Sequence, residues 1–407
     1  MSLAPRDEAR RVARVLKEAG HQVFFAGGCV RDALMGREPK DFDLATSARP
    51  EEVQALFPHS DAVGAHFGVI IVKARNFVTE VATFRSDGAY LDGRRPESVT
   101  FSSPEEDAQR RDFTINALFE DPDSGEIIDY VGGREDLAQG VIRAVGDPRE
   151  RFGEDALRLL RAVRFAVRTG FEIEKSTWEA LHDLAPGLEK IAPERIRDEF
   201  SKIITDPERA RGLGLLRESG LFHSFLPEVL ALDGCEQPPQ WHPEGDVYTH
   251  TRIALSLLGE NPPLELCLAV LLHDIAKPPT QTWDAEQERW RFNGHDVVGA
   301  DMAEAILRRL RYPNALIGRV VEMVRNHMKF MHVQEMRVAK VKRFMARETF
   351  PLEMELHRVD CQSSNGFTDN YDFLQRKEAE FAAEPLIPPP LVTGKDLIER
   401  GLKPGPL

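Results

Sequence analysis

Residues 22–46 read QVFFAGGCVRDALMGREPKDFDLAT. The apolar run Val23 to Ala26 predicts a buried strand. It breaks at Gly27-Gly28, and Val30 to Met35 predicts the first turns of a helix. Glycines at a strand-to-helix turn let backbone N–H groups approach a phosphate, whose charge the helix N-terminus favours. Asp41 to Thr46 predicts a second strand, on which residues two apart share a face. Asp41 and Asp43 then aim together, with Phe42 and Leu44 turned away. Adjacent carboxylates repel unless a cation sits between them. Either feature alone also suits a solvated edge strand or an ordinary turn. Together, hard oxygen ligands beside a phosphate cradle point to Mg²⁺ and a nucleotide.

These residues resemble the signature of the class II nucleotidyltransferases, which comprise the tRNA CCA-adding enzymes and bacterial poly(A) polymerases. Three further stretches match the same family in order. RRDFTINAL (Arg110 to Leu118) resembles its second motif, GEDALRLLRAVRFA (Gly153 to Ala166) its base-recognition helix, and ERIRDEFSKII (Glu194 to Ile204) its neck motif. The resemblance covers most of residues 20–375. It implies an α+β fold: a polymerase-β-like head of mixed sheet and helices, then an all-α neck, body and tail. It also implies tRNA, CTP and ATP as partners.

The chain has 407 residues, enough for more than one domain, with 42% hydrophobic and 29% charged residues as in ordinary globular proteins. No apolar run reaches membrane-spanning length, which excludes a membrane partner of that kind. The N-terminal stretch carries no signal-peptide core and reads as an amphipathic helix. Cys29, Cys235, Cys267 and Cys361 are scattered, as expected of reduced thiols in a cytoplasmic protein. A net charge of −14 argues against a generic nucleic-acid binder, yet Arg143 to Arg168 is locally arginine-rich.

Residues 1–140 alternate strands and helices and form the expected head. Val69 to Lys73 and Val78 to Phe84 predict a hairpin turning at Ala74-Arg75-Asn76, with Glu80 as a candidate third carboxylate. Ser86 to Glu97 is polar and glycine-rich and predicts a loop, where the family carries a mobile one. Residues 141–235 read as a helical neck with the base-recognition region. Residues 236–365 hold most of the histidines, and 366–407 form a turn-rich tail after Pro388-Pro389-Pro390. The chain ends at Gly405-Pro406-Leu407, short of the family's usual extent, which predicts a shortened C-terminus.

Taking Glu154 to Arg168 as one helix places Arg158, Arg161, Arg164 and Arg168 on one side. Leu159, Leu160, Val163, Ala166 and Val167 fall on the other. Asp155 and Arg158, three apart, are expected to touch. Such a face also suits solvated salt bridges. The family resemblance instead implies that Asp155 and Arg158 read the Watson–Crick edge of the incoming base. Asp155 would accept from the exocyclic amine shared by cytosine and adenine; guanine and uracil would leave groups unpaired. The resemblance further implies nucleotide-binding roles for Gly28, Arg31, Arg111, Asp112, Asn116, Arg161 and Arg164. Asp41 and Asp43 become catalytic ligands of two Mg²⁺ ions.

The C-terminal half carries His250, the dyad His273-Asp274, His295, His327 and Asp360. Histidine and aspartate are common metal ligands. The order resembles the HD phosphohydrolases: His250, His273, Asp274 and Asp360 match a four-ligand core, and His295 and His327 the extra pair of two-metal members. This implies a divalent metal (Mn²⁺, Ni²⁺, Mg²⁺ or Fe) and a second activity on 2′,3′-cyclic phosphates and phosphate esters. CCA addition is the leading reading. Poly(A) polymerase and partial CC- or A-adding activity share every head motif. A metal phosphohydrolase with an RNA-binding head, or a turnover-free RNA-binding module, would not need the Asp41/Asp43 pair.

Overall fold

A computed structural model of the chain describes residues 4–64, 68–74, 77–88, 98–382, 386 and 394–401. It divides into two compact units, Met1–Leu230 and Ala231–Leu407. Among the described residues, the first unit contains a seven-stranded mixed sheet. Its strands are β1 (Val23–Ala26), β2 (Leu44–Thr46), β3 (Ser60–Gly64), β4 (Val69–Ala74), β5 (Phe77–Thr83), β8 (Phe119–Glu120) and β9 (Ile127–Ile128). A separate pair, β6 (Arg85–Asp87) and β7 (Val99–Phe101), is antiparallel. The sheet order is β3-β4-β5-β2-β1-β8-β9, with β2 and β5 parallel and the remaining neighbours antiparallel.

The first helix, α1 (Pro5–Glu18), buries Ala9, Val12, Ala13 and Leu16. This is the i, i+3, i+4, i+7 spacing of an amphipathic helix. That stripe joins Val23, Phe25, Leu44, Ile70, Val72 and Val81 in one core. A second cluster contains Ala26, Ala45, Phe84, Ala117 and Phe119. The alternation along the strands, with neighbouring residues in different clusters, locks the register, because a one-residue slip would exchange the two sets. Helix α2 (Gly28–Leu34) follows β1 across Gly27, whose φ of 73° favours glycine.

Several expected boundaries move. The helix begins at Gly28 rather than Val30. The second strand begins at Leu44, not Asp41. The alternation persists through the lead-in, because the Asp43 carbonyl still accepts from Ala26 N at 3.0 Å. Phe42 is thus buried beside Leu44 while Asp41 is exposed and Asp43 half-buried. The hairpin of β4 and β5 forms as expected, although Arg75 and Asn76 of its turn lie outside the described residues. The expected loop starts inside β6, since Ser86 pairs with Thr100; residues 89–97 lie outside the described residues. So do 387–393 and 402–407 of the tail, between which Gly394–Glu399 is helical.

Helices α3 (Pro50–Leu56), α4 (Pro104–Gln109) and α5 (Gly133–Gln139) complete the sheet-bearing part. The chain then becomes helical with α6 (Pro148–Glu154), α7 (Leu157–Thr169), α8 (Lys175–Leu184) and α9 (Pro193–Ile204). The expected single helix from Glu154 is therefore two helices. Asp155 is extended (φ −145°, ψ 102°), and its carboxylate accepts from Leu157 N at 3.0 Å. A short acidic side chain that caps the backbone two residues on competes with helix continuation. Two short strand pairs interrupt the helical parts: Val141–Ile142 with Glu172–Ile173, and Thr282–Asp284 with Arg289–Arg291. The second unit is built on helices Val247–Ser256, Leu264–Leu272, His295–Arg309, Asn314–Asn326 and Phe350–Ser363. Leu266 to Leu272 is buried without a break, as an all-round apolar helix requires.

Gly133 opens α5 where an added Cβ would lie 2.2 Å from the Thr114 carbonyl oxygen. Backbone cannot yield as a side-chain tip can. Gly133→Ala is expected to destabilise the first unit by about 1–3 kcal/mol. Gly153→Ala, with nothing within 4 Å of its Cβ, should be near neutral. Denaturation midpoints of the two variants check this.

Candidate functional site

A cavity of about 600 Å³ opens in the first unit. The glycine turn supplies Gly27 and Gly28, and the lead-in to β2 supplies Asp41 and Asp43. Glu80 comes from β5, Arg111, Asp112 and Asn116 from the segment after α4, and Arg158, Arg161, Arg164 and Arg168 from α7. Asp155 and Arg195 also line it. The residues singled out in the sequence for magnesium and nucleotide, Arg31 and Glu80 included, thus border one space.

Its acidic end is Asp41, Asp43 and Glu80. Burial, then the charges of Glu80 and Asp41, push the Asp43 carboxyl up to about 6, with Arg111 opposing. A divalent cation beside Asp43 would remove that repulsion, and Asp41, Asp43 and Glu80 are the hard oxygen donors that line this end of the cavity.

The arginines are held by carboxylates from other segments. Arg161 Nε donates to Asp112 Oδ2 at 2.7 Å. Asp112 also accepts from Phe113 N at 2.8 Å and from Asn116 Nδ2 at 3.2 Å. Burial raises the Asp112 carboxyl, but Arg161 and these donors outweigh it and hold it near 2. Arg164 pairs with Glu199 on α9 at 2.8 Å, and burial brings its guanidinium down to about 10. Arg168 donates to Asp32 at 2.8 Å. Arg31, expected to cradle phosphate, is instead 3% exposed, and its guanidinium is committed to Asp32 Oδ1 (2.6 and 2.8 Å) and Asn116 Oδ1 (2.6 Å). Arg111 donates to Asp107 at 3.0 Å and to the Asn116 carbonyl at 3.1 Å.

Asp155 and Arg158 do not pair through their side chains. Asp155 takes two bonds from Arg195, at 2.6 and 3.2 Å. Arg158 donates to Glu154 and to the Arg110 and Arg151 carbonyls. The break after Glu154 explains the change: Asp155 leaves the helix and points to α9. Sequence reasoning did not assign Arg195, Asp32 or Asp107. Arg195 was visible within the ERIRDEF stretch, whereas Asp32 and Asp107 become notable only through the arginines they neutralise.

The second unit gathers all six of its expected ligands. His250 lies on the first of its helices, His273-Asp274 follows Leu272, His295 opens a helix, His327 follows Asn326, and Asp360 sits in a last turn. Asp274 Oδ2 lies 3.2 Å from His273 Nε2 and 3.8 Å from His250 Nε2. Its Oδ1 lies 3.3 Å from His295 Nε2 and 3.8 Å from His327 Nε2. Asp360 Oδ1 is 3.1 Å from His250 Nε2. The two oxygens of one buried aspartate thus face two histidine pairs, a donor set that fits two divalent ions of the nitrogen- and oxygen-binding kind. Burial lowers the His273 imidazole, but Asp274 and Asp360 prevail and push it up to about 10. Burial and the His273 charge push His327 down to about 4. Each ligand imidazole is oriented through its other nitrogen: Nδ1 of His273, His295 and His327 contacts the carbonyls of Val270, Phe292 and Val324. His250 Nδ1 instead meets Glu244 at 2.8 Å, a partner the sequence did not single out. Lys277 Nζ lies 2.7 Å from Asp274 Oδ2.

The description "Poly A polymerase head domain" matches residues 23–143, "Probable RNA and SrmB- binding site of polymerase A" matches 170–232, and "HD domain" matches 246–358. A CCA-adding enzyme from Geobacillus stearothermophilus is 47% identical over 224 residues, which are 55% of either chain. One from Limosilactobacillus reuteri is 43% identical over 256 residues, 62% of this chain and 63% of that one. The chain therefore spans somewhat more than half the length of the curated relatives it matches. The crystal structure of the Bacillus stearothermophilus CCA-adding enzyme in complex with CTP superposes with a TM-score of 0.72 at 30% identity, covering 100% of this chain and 90% of that one.

Replacing Arg161 by Met would strand the Asp112 carboxylate. A loss on the order of 2–4 kcal/mol is expected, reduced from a fully dry pair because the Arg161 side chain is 33% exposed. The double variant Arg161→Met/Asp112→Asn should recover part of it. A double-mutant cycle on unfolding free energies measures the coupling.

Proposed function

The chain belongs to the CCA-adding enzymes, and we propose that it adds CCA to the 3′ end of tRNA from CTP and ATP, without a nucleic-acid template. The observation that carries this reading is the cavity itself: a carboxylate cluster at one end and an Asp155–Arg158 recognition edge with three more arginines along α7. Magnesium held by Asp41 and Asp43 supplies, when bound, activation of the primer 3′-hydroxyl and charge neutralisation on the departing pyrophosphate. The backbone at Gly28 and the side chain of Arg111 receive the triphosphate. Arg31 holds the floor of the cradle through Asp32 and Asn116.

Base selection follows from fixed donors and acceptors. The Arg195 guanidinium immobilises the Asp155 carboxylate, whose remaining lone pairs accept from the amine of cytosine or adenine. Arg158, fixed by Glu154 and two carbonyls, donates to a ring acceptor. Guanine and uracil present the opposite pattern at these positions, and the unpaired groups penalise them. Arg161 and Arg164 keep this edge in register through Asp112 and Glu199. Positioning and charge neutralisation carry the reaction, and no covalent intermediate is needed.

A second activity, hydrolysis of 2′,3′-cyclic phosphates or phosphate monoesters, is supported by the His/Asp set of the second unit. His250, His273, Asp274 and Asp360 would hold one divalent ion, and Asp274, His295 and His327 another. Such ions, when bound, supply Lewis acidity to the phosphate oxygens.

The deciding assay is incorporation into a tRNA transcript lacking CCA. Three added residues, requiring both CTP and ATP and then stopping, are expected. A lone A, two Cs or a long A tail would replace this reading by a partial CCA-adding or poly(A) activity. Asp43→Asn should lower addition by at least about 10²–10³-fold and spare hydrolysis, and His273→Ala should do the reverse. Loss of both activities from one substitution would refute two separate sites.

Metal analysis after loading with Mn²⁺ or Ni²⁺ tests the bridging role of Asp274. Asp274→Asn is expected to reduce binding at both positions, whereas His327→Ala should retain the ion near His250.

A further inference from the structure

Between Met336 and Arg347 the chain reads MRVAKVKRFMAR, with five basic residues and no acidic one in a protein of net charge −14. The helix Val338–Met345 buries Val341, Phe344 and Met345. They join Phe330, Val333, Phe350, Leu374 and Phe381 in a hydrophobic cluster. The opposite side carries Arg337, Lys340 and Arg343, three apart in sequence and exposed. Residues at this spacing form one stripe along a helix.

This stripe borders a concave site of about 450 Å³, completed by His332, Glu335 and Met336. Two neighbouring cations are already occupied. Lys342 lies over the Phe381 ring at 4.8 Å, and Arg347 pairs with Glu353. Arg337, Lys340 and Arg343 pair with no carboxylate among the described residues. Glu335, the carboxylate beside them, faces His332 at 3.7 Å. Elsewhere the arginines of α7 are each matched to an acidic partner. Three cations left unmatched around a hollow complement a ligand with regularly repeated anionic charge.

We propose that this groove binds the phosphate backbone of the RNA substrate, a role that rests on the tRNA reading above. RNA fits better than a lipid surface. The apolar side of the helix is used in the core, with only Val338 of its large apolar residues exposed, so little is left to enter a bilayer. A strand of phosphates needs only fixed cations at spaced positions, and such contacts position a nucleic acid without reading its sequence.

The test is binding of a tRNA transcript lacking CCA to the full chain, measured by anisotropy between 50 and 300 mM salt. The comparison is with the triple variant Arg337→Gln/Lys340→Gln/Arg343→Gln. About 10-fold weaker binding is expected, with the slope of log affinity against log salt smaller in magnitude by about 2–3. The charge-conserving variant Arg337→Lys/Arg343→Lys should retain most of the affinity, and an unchanged thermal midpoint excludes unfolding. Equal affinity and slope in wild type and triple variant would overturn the groove while leaving the tRNA reading intact. Failure of the wild type to bind tRNA at all would overturn both. So would the groove fall if the triple variant lost binding only to vesicles containing anionic lipid.

Discussion

Asp112 is buried, and its carboxylate accepts from Arg161 of α7, from the Phe113 backbone and from Asn116. Asn116 in turn accepts from Arg31 of α2, Arg31 donates to Asp32, and Asp32 accepts from Arg168. The chain of bonds leaves α7 at Arg161 and returns to it two turns later. Such a circuit is stable only when every member is satisfied, because any one charge left alone in a poorly hydrated site costs more than a neutral pair gains. It fixes the orientation of the arginine helix against the glycine turn. The cavity between them owes its shape to that constraint.

The same circuit explains why the cavity has two electrostatic ends. Arginines whose counter-ions are built in present donors without a large net field. Among the described residues Asp41, Asp43 and Glu80 form no ion pair, and Asp43, opposed by Arg111 alone, sits near 6. Positive charge is wanted at the carboxylate end, and directional hydrogen bonding is available at the other. The proposed nucleoside triphosphate would use both, the first beside its phosphates and the second at its base. Arg31 illustrates the division of labour: a residue in the glycine-rich signature whose guanidinium is spent on Asp32 and Asn116 and so holds the architecture.

The β1–turn–α2–β2 unit was legible because its residues obey local rules, namely an apolar run, a glycine at positive φ and alternation. The alternation survived even where the strand proper began three residues late. The histidine set was legible because metal chemistry demands particular residue types, and all six converge. The break at Asp155 was missed because 100° periodicity of Arg158 to Arg168 holds equally whether or not the helix extends back one more turn. What ends it is a side chain capping its own backbone, a preference of aspartate that helical periodicity does not register. Arg195, Asp32, Asp107 and Glu244 escaped for a different reason. Each acts by fixing another residue: Arg195 and Asp32 reach across long sequence gaps to Asp155 and Arg168, while Asp107 and Glu244 hold near neighbours, Arg111 and His250, whose own importance must be known first.

The two clusters differ in how they are held, and the difference follows from their donors. Asp41 and Asp43 rest on extended backbone leading into the central strand of the sheet, where a lead-in of three residues can set two carboxylates on one face. The imidazoles of the second unit occupy helix ends or near-ends: His273 and His327 cap helices and His295 begins one. At a helix C-terminus the last carbonyls lack intrahelical partners, and Val270 and Val324 find theirs in His273 and His327 Nδ1 at 2.8 and 2.6 Å. An orphan carbonyl that accepts from Nδ1 orients the ring and directs Nε2 toward Asp274, where its lone pair would serve a metal that displaces the proton. The need of the helix to satisfy its own backbone and the need of a metal for a lone pair are thus met by one ring. This is why His273 and His327 sit where their helices stop.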